Sequence, residues 1–363
     1  MSERAAVITE IIAPYRIPVF NALNDLLDGG LHVVFINETE GRRSWPVYRE
    51  EIRFSYEVLG GLRFNVPYRG DSQPVYLARP VIGRLERGRF DSVLVGGWNH
   101  LECYQALAWC RARRRRFVFW SETPLLGELP ARPLRTVLKR AVVARADAFA
   151  VPGPSAARNL AALGADPARI HEAPNAVDNE FWSVGPSEPP SRELTTLLLV
   201  GRLVASKGVD VAIRAFGASR LSDTAELLIA GDGPERAALE RLAVPGVRFL
   251  GEQDRLGLRA LYHSADLLVF PSRYDPWGLV VNEAACAGLP TIGSDGAGAS
   301  RDMIRDGENG LLVEAGSEES LRAALDRVAD DPGLPTRLRP GATGIAATHT
   351  PEACAAGLRE ALA

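Results

Sequence analysis

Short apolar runs alternate with longer amphipathic ones along this chain, twice over, and that rhythm leaves few folds open to it. In the first half the runs fall at residues 5–12, 19–27, 31–36, Ser92–Gly96, 102–111, 117–120, 133–145 and Ala148–Val151. The second half repeats the pattern more cleanly, with strands predicted at 196–200, 226–230, 247–250, Leu267–Phe270 and 291–293. Helices are predicted at Val209–Ala218, 234–242, 254–264, 278–287 and 317–329. Strands that alternate with helices in this way build open, mostly parallel sheets covered by helices on their faces. Only between residues 38 and 80 does the rhythm weaken, where a strand or two and irregular loops are expected.

One segment, Ser183-Val-Gly-Pro-Ser-Glu-Pro-Pro-Ser-Arg-Glu193, continues neither a helix nor a central strand, because consecutive prolines lack the amides both need. The fold expected is α/β, two Rossmann-like doubly wound domains facing across a cleft: residues 1–183, a linker 184–193 and residues 194–340. Residues 341–363 form a tail, expected to be helical and to return to the first domain. Ligands of such sheets bind beyond the carboxyl ends of the strands, so the residues just after each strand draw attention.

A length of 363 residues suits two cores, and a net charge of −3 gives no footing for nucleic acid as a partner. The basic first half, with the run Arg111-Ala-Arg-Arg-Arg-Arg116 and the amphipathic stretch 133–145, permits a weak peripheral membrane contact. A solvated helix end and a surface helix are the plainer accounts of the two. Cys103, Cys110, Cys286 and Cys354 lack metal-ligand spacing and read as buried thiols. No leader or spanning segment is legible, so a cytoplasmic location is expected. The abundance of Arg, Ala and Gly fits a GC-rich bacterial genome.

Two lysines stand against forty arginines, and one of them, Lys207, lies in Gly201-Arg-Leu-Val-Ala-Ser-Lys-Gly208 directly after a strand. Gly201 permits a tight turn there, and the loop leads into a helix whose first amides attract anions. Arg202 brings a bidentate fork and Lys207 a compact charge, a combination suited to a diphosphate. The strand Leu267–Phe270 is followed by Pro271-Ser-Arg-Tyr-Asp-Pro-Trp-Gly278 and a helix predicted to begin near Gly278. The amides of Trp277, Gly278 and Leu279 are expected to face a ligand there, and Asp275 to accept hydrogen bonds from sugar hydroxyls. Glu283 is placed to clamp the two hydroxyls of a ribose. Its neighbours Val280, Val281, Ala284, Ala285 and Cys286 argue against an exposed carboxylate, so a partner is expected for it. In the first half, Arg16 and Glu122 follow strands and are read as acceptor-binding, with helix capping or simple exposure as the alternative for Arg16.

Five blocks in order carry a family resemblance: Gly-Arg-Leu with Lys-Gly, Ala230-Gly-Asp-Gly-Pro234, Phe249-Leu-Gly251, Pro-Ser-Arg-Tyr-Asp-Pro-Trp-Gly-Leu-Val with Glu-Ala, and Asp306-Gly-Glu-Asn-Gly-Leu-Leu-Val313. Together they resemble the sugar-donor domain of retaining family 4 glycosyltransferases of the GT-B fold, also called glycosyl transferases group 1. Pro14-Tyr-Arg-Ile-Pro18 and Pro174-Asn-Ala-Val-Asp178 resemble the same family more loosely. The resemblance implies a transferase that moves a sugar from a nucleotide-diphosphate donor to a small-molecule or glycan acceptor, with retention and with neither metal nor cofactor. It places Arg202 and Lys207 on the diphosphate, Glu283 on the ribose and the 275–279 loop on the sugar and phosphate. It also puts His100, which follows a strand in the first half, near the acceptor and the reacting sugar, with a simple hydrogen-bonded loop histidine as the alternative; Arg202, Lys207, Asp275 and His100 form its catalytic set.

The chain departs from the family in having Asp275 where glutamate is usual, followed by Pro276, which has no amide to donate. A GT-B-fold epimerase or phosphorylase, a transferase with a cyclitol donor, and a silent nucleotide-sugar binder stay open as rivals. The turn Gly231-Asp-Gly233 lacks the third glycine and the acidic partner of a dinucleotide fingerprint, so no nicotinamide cofactor is expected.

Overall fold

The computed structural model of the chain describes residues 3–39, 46–68, 71–124, 133–185 and 194–363. Most of the Pro-rich linker, residues 186–193, lies outside the described residues. Two compact units emerge, one built from Met1–Pro67, Ser72–Asp178 and His349–Ala363, the other mainly from Asn179–Thr348.

Up to Asp178 the chain forms strands β1 (Ala5–Thr9), β2 (Leu31–Phe35), β3 (Ser55–Val58), β4 (Gly61–Tyr68), β5 (Asp71–Ala78), β6 (Ser92–Gly96), β7 (Arg116–Trp120), β8 (Ala148–Val151) and β9 (Ile170–Glu172). Seven of them make one sheet in the order β3-β2-β1-β6-β7-β8-β9, while β4 and β5 pair with each other. The 38–80 region thus holds three strands rather than one or two. Along β1, Ala6 and Ile8 enter the core on one face with Val93, Phe117 and Phe149. Ala5 and Val7 enter it on the other with Val33, Leu94 and Val118. Parallel strands buried on both faces read as unbroken apolar runs, which is why periodicity found them.

The second unit contains β10 (Thr195–Val200), β11 (Ala225–Ala230), β12 (Val247–Gly251), β13 (Leu267–Phe270), β14 (Thr291–Ser294) and β15 (Gly310–Val313), in the order β12-β11-β10-β13-β14-β15. All its pairings are parallel, with Leu197 opposite both Leu227 and Leu267. Among the elements here that escaped periodicity are β15 and the helix Gly298–Met303, each too short to show a period, and the helix Leu334–Thr348, which carries Pro340 inside it. In both sheets the strand order reverses once, between β1 and β6 and between β10 and β13, and at such a switch point the loops on either side diverge and leave a crevice.

The last helix, Pro351–Leu362, belongs to the first unit. Thr350 caps it, its hydroxyl accepting from the Ala353 amide at 3.2 Å, and Cys354, Ala355, Leu358, Ala361 and Leu362 join that unit's core. Gly357 lets the helix lie directly on the end of β9, since a Cβ there would run into the Glu172 carbonyl oxygen. Gly357→Ala is therefore expected to cost about 1–3 kcal/mol through overpacking, a fall of several degrees in Tm. A melting curve that coincides with that of the wild type would rule out this close packing.

Candidate active site

The loops that leave β10 and β11 are laced together by their backbones. Gly201 donates to the Ala230 carbonyl at 3.0 Å, Leu203 to that of Asp232 at 2.9 Å, and Glu235 to that of Leu203 at 3.1 Å. A Cβ at Gly231 would strike the Gly201 carbonyl, and one at Gly233 the backbone of Leu203. The two glycines of the Gly231-Asp-Gly233 turn are accounted for by this close approach of two backbones.

Lys207 closes the short 3-10 turn Ala205–Lys207, and Gly208, at φ 66°, turns the chain into the helix Val209–Ala218. On the other side of the switch point, the loop after β13 carries Asp275. The structure pairs these two residues directly: Lys207 Nζ donates to Asp275 Oδ2. The other carboxylate oxygen, Oδ1, accepts from the Trp277 amide at 3.3 Å, and Asp275's own amide donates to the Gly296 carbonyl at 3.0 Å. Arg202 lies partly buried in the loop after β10.

Three expectations are corrected here. The Trp277 amide, expected to face a ligand, is engaged by Asp275, and the Trp277 indole is buried with its Nε1 donating to Asn282 Oδ1 at 2.8 Å. The helix begins at Val280 rather than near Gly278, with Leu279 as its N-cap. Gly278 has φ 106°, and a Cβ there would press on the Phe270 ring, so the turn before the helix needs glycine. Asp275, expected to wait for hydroxyls, already holds a cation and an amide.

Glu283 has the partner its apolar helix demanded. The fully buried Tyr262 donates its hydroxyl to Glu283 Oε2 at 2.7 Å, and Trp182 packs edge-on against the Tyr262 ring at 5.6 Å. Burial pushes the Glu283 carboxyl up to about 7, against the opposing pull of the Tyr262 hydrogen bond and of Arg255. The same burial, with the carboxylate beside it, raises Tyr262 well above its ordinary value and keeps it a hydrogen-bond donor.

In the first unit Arg16 is buried, which overturns the surface reading. Its Nη2 pairs with Glu122 Oε1, its Nη1 donates to Asn175 Oδ1 at 3.1 Å, and its guanidinium lies 4.0 Å from the centroid of the Trp120 ring. Arg16 is the N-cap residue of the helix Ile17–Leu26, but its side chain caps nothing. The cluster thus joins the loops after β1, β7 and β9, and the two loosely resembling motifs, Pro14–Pro18 and Pro174–Asp178, meet through it. His100, also buried, is the N-cap residue of the helix Leu101–Arg113, its Nε2 3.8 Å from Glu10 Oε2. Its ring folds back over Gly97, which at φ 94° leaves room for it.

Arg16→Ala strips Glu122 of its cation and Trp120 of its cover, and is expected to destabilise the unit by about 2–4 kcal/mol after allowance for the partial exposure of Glu122. Arg16→Lys should recover little, since an ammonium cannot span both acceptors. Urea unfolding measures both, and equal midpoints for wild type and Arg16→Ala would refute the structural part of this account.

The arginine run lies at the start of β7, the end of the strand opposite to the loops above. Four of its five arginines are spent on the protein: Arg111 on Asp147, Arg113 on Glu86, Arg115 on Asp91, and Arg116 Nε on the Ala361 carbonyl. The four cysteines are buried and free, and burial pushes the thiols of Cys103, Cys110 and Cys354 up to about 12. Among the described residues no three His, Cys, Asp or Glu side chains gather as a metal would require, and no described helix is long and apolar enough to cross a membrane.

Signals missed in the sequence were Asn175, Trp120, Tyr262 and the Arg273–Asp210 pair described below. Asn175 and Arg273 stood inside quoted motifs, but nothing in one dimension said what they touch.

Two consecutive parallel α/β units, each with its conspicuous side chains on the loops around the switch point, define a GT-B architecture. The sheets agree with this at full length: the Anabaena protein HepE, solved in complex with UDP, superposes with a TM-score of 0.78 over 99% of both chains at 17% identity. Residues 186–344 match the family model for glycosyl transferases group 1, and residues 24–176 that for the glycosyl transferase 4-like domain. The chain belongs to this family of glycosyltransferases. Among curated relatives, the D-inositol 3-phosphate glycosyltransferase of Acidothermus cellulolyticus is 32% identical over 243 residues, 61% of this chain and 54% of that protein. The GDP-mannose-dependent alpha-mannosyltransferase of Corynebacterium glutamicum is 34% identical over 171 residues, 47% and 39% respectively. The matched part therefore spans between about two fifths and about half the length of these relatives.

Proposed function

We propose that the protein is a retaining glycosyltransferase that moves a sugar from a nucleotide-diphosphate donor to an acceptor hydroxyl without a metal ion. The observation that carries this reading is the Lys207–Asp275 pair, one member from each loop flanking the switch point of the second sheet. Arg202 and Lys207 take the diphosphate, with Gly201 letting it approach the backbone and the Gly278 and Leu279 amides completing the cradle. Glu283 takes the ribose hydroxyls, and Asp275 stands beside the sugar. Negative charge grows on the leaving phosphate as the glycosidic bond breaks, and two fixed cations stabilise that charge more than they stabilise the ground state. The acceptor oxygen attacks the face the phosphate leaves and gives its proton to that phosphate, so the anomeric configuration is kept. Arg16, His100 and Glu122 are assigned to the acceptor side, His100 nearest the reacting carbon.

Relatives and neighbours carry names that speak of UDP and of GDP-mannose, so both bases belong in the test. Calorimetric titration with UDP and GDP should find one of them bound. The matching nucleotide sugars, incubated with polyol and glycan acceptors in the presence of a chelator, should then give a product whose anomeric proton coupling matches that of the donor. Absence of binding to either nucleotide would sink the reading, and tight binding with no turnover in any acceptor panel would favour a silent binder.

A further inference from the structure

The loop after β13 is fastened to the loop after β10 by a residue that the proposed chemistry does not use. Arg273 donates through Nη1 to Asp210 Oδ1 at 2.7 Å and through Nη2 to Asp210 Oδ2 at 2.8 Å, a bidentate fork. The same Nη1 also reaches the Ala205 carbonyl at 2.8 Å, the first residue of the turn that ends in Lys207. Beside it the Tyr274 amide donates to the Ser206 carbonyl at 3.2 Å, and Gly208 lies so close to the Pro271 carbonyl that a Cβ would not fit. Asp210 sits in the first turn of the helix Val209–Ala218 and is held from behind by Arg214 Nη2 at 2.6 Å, itself bound to Glu318 Oε2 through Nε at 3.0 Å.

We infer that Arg273 is a positioning residue: clamped to Asp210 and Ala205, it sets the spacing of the two loops and with it the placement of Lys207 against the diphosphate. The inference rests on the reading of Lys207 given above. Lys207 and Asp275 each belong to one of the two loops, so a drift of either loop separates them, and the fastening acts two residues from each, at Ala205 and Arg273. Burial would raise the Asp210 carboxyl, but the hydrogen bonds of Arg273 and Arg214 outweigh it and bring it to about 2, so the clamp stays charged across the physiological range. Arg273 is about a third exposed, at 37%, and a pair so open to water contributes little to global stability. What it supplies is geometry, to which the transfer step is far more sensitive than the fold is.

The test compares the affinity of full-length protein for UDP with that for uridine, and for GDP with that for guanosine, because only the diphosphates reach Lys207. In wild type the diphosphate of the accepted base should bind at least about tenfold more tightly than its nucleoside. Arg273→Gln should cut that preference by about tenfold while nucleoside affinity and Tm stay close to wild type. Asp210→Asn, which keeps the side-chain size and removes the charge from the same pair, should cut it in the same direction and serves if Arg273→Gln does not fold. The reciprocal swap R273D/D210R should restore part of the preference, which a purely local effect of either change would not. Arg214→Ala, which leaves the loop-to-loop link in place, should keep the preference. A preference that survives both Arg273→Gln and Asp210→Asn overturns the inference while leaving the reading of Lys207 intact. A wild-type protein that binds nucleoside and diphosphate equally overturns the reading of Lys207, and the inference with it.

Discussion

Lys207→Ala is expected to lower turnover by about 100- to 1,000-fold, or about 3–4 kcal/mol of transition-state stabilisation, with a much smaller change in Tm. The reason is that its charge is needed most when the leaving phosphate is most negative. The structure adds a complication, since Lys207 also neutralises Asp275. Its removal leaves a carboxylate facing the incoming diphosphate, and repulsion alone would weaken binding. A double-mutant cycle separates the two effects. If Lys207 acts only by cancelling Asp275, then K207A/D275N should return to the level of Asp275→Asn. If it grips the diphosphate, the double variant should stay as low as Lys207→Ala. Release of nucleoside diphosphate from the cognate nucleotide sugar measures all four proteins, and full turnover in Lys207→Ala would remove this lysine from the mechanism.

The second large effect concerns Glu283→Gln and reads as a change in pH dependence. Burial lifts the Glu283 carboxyl from 4.5 to about 7 in the folded protein, so the fold favours the protonated form. Below about pH 4.5 the group is protonated whether the chain is folded or not, and it carries no penalty. As pH rises from 4.5 to 7 the unfolded chain ionises first, and stability falls, reaching a loss of about 3 kcal/mol above pH 7. Glutamine still accepts the Tyr262 hydrogen bond but cannot ionise, so the variant should gain that amount above pH 7 and match wild type near pH 4.5. Denaturant unfolding across this range measures the slope, and parallel curves for the two proteins would show that Glu283 titrates normally. The ionised carboxylate is the better acceptor for ribose hydroxyls, so wild-type affinity for the diphosphate should climb as pH rises through about 7, and the variant should be weak at every pH.

Much of this is legible in the sequence. The strands β10 and β13 were found almost to the residue because they are central and apolar on both faces, and their following loops stood out because Lys207 is one of two lysines. Glu283 was singled out correctly as an acid in need of a partner, but Tyr262, twenty-one residues earlier on another helix, carried no mark of being that partner. Arg16 differs: it is legible as an acceptor-side candidate, with capping or exposure as the alternative, but only the meeting of three strand ends around it, with Trp120 beneath, makes it a buried hub.

What the sequence by itself determined was the periodic part of the protein: the central strands and the longer helices of both sheets, that they alternate, and which loops follow those strands, because burial on two faces writes itself into every residue of a parallel strand. Tertiary structure alone decided the pairings: Lys207 with Asp275, Tyr262 with Glu283, Arg273 with Asp210, Arg16 with Glu122 and Asn175. A polar side chain takes its meaning from a partner tens of residues away, and that distance closes only when the sheet sets its strand order.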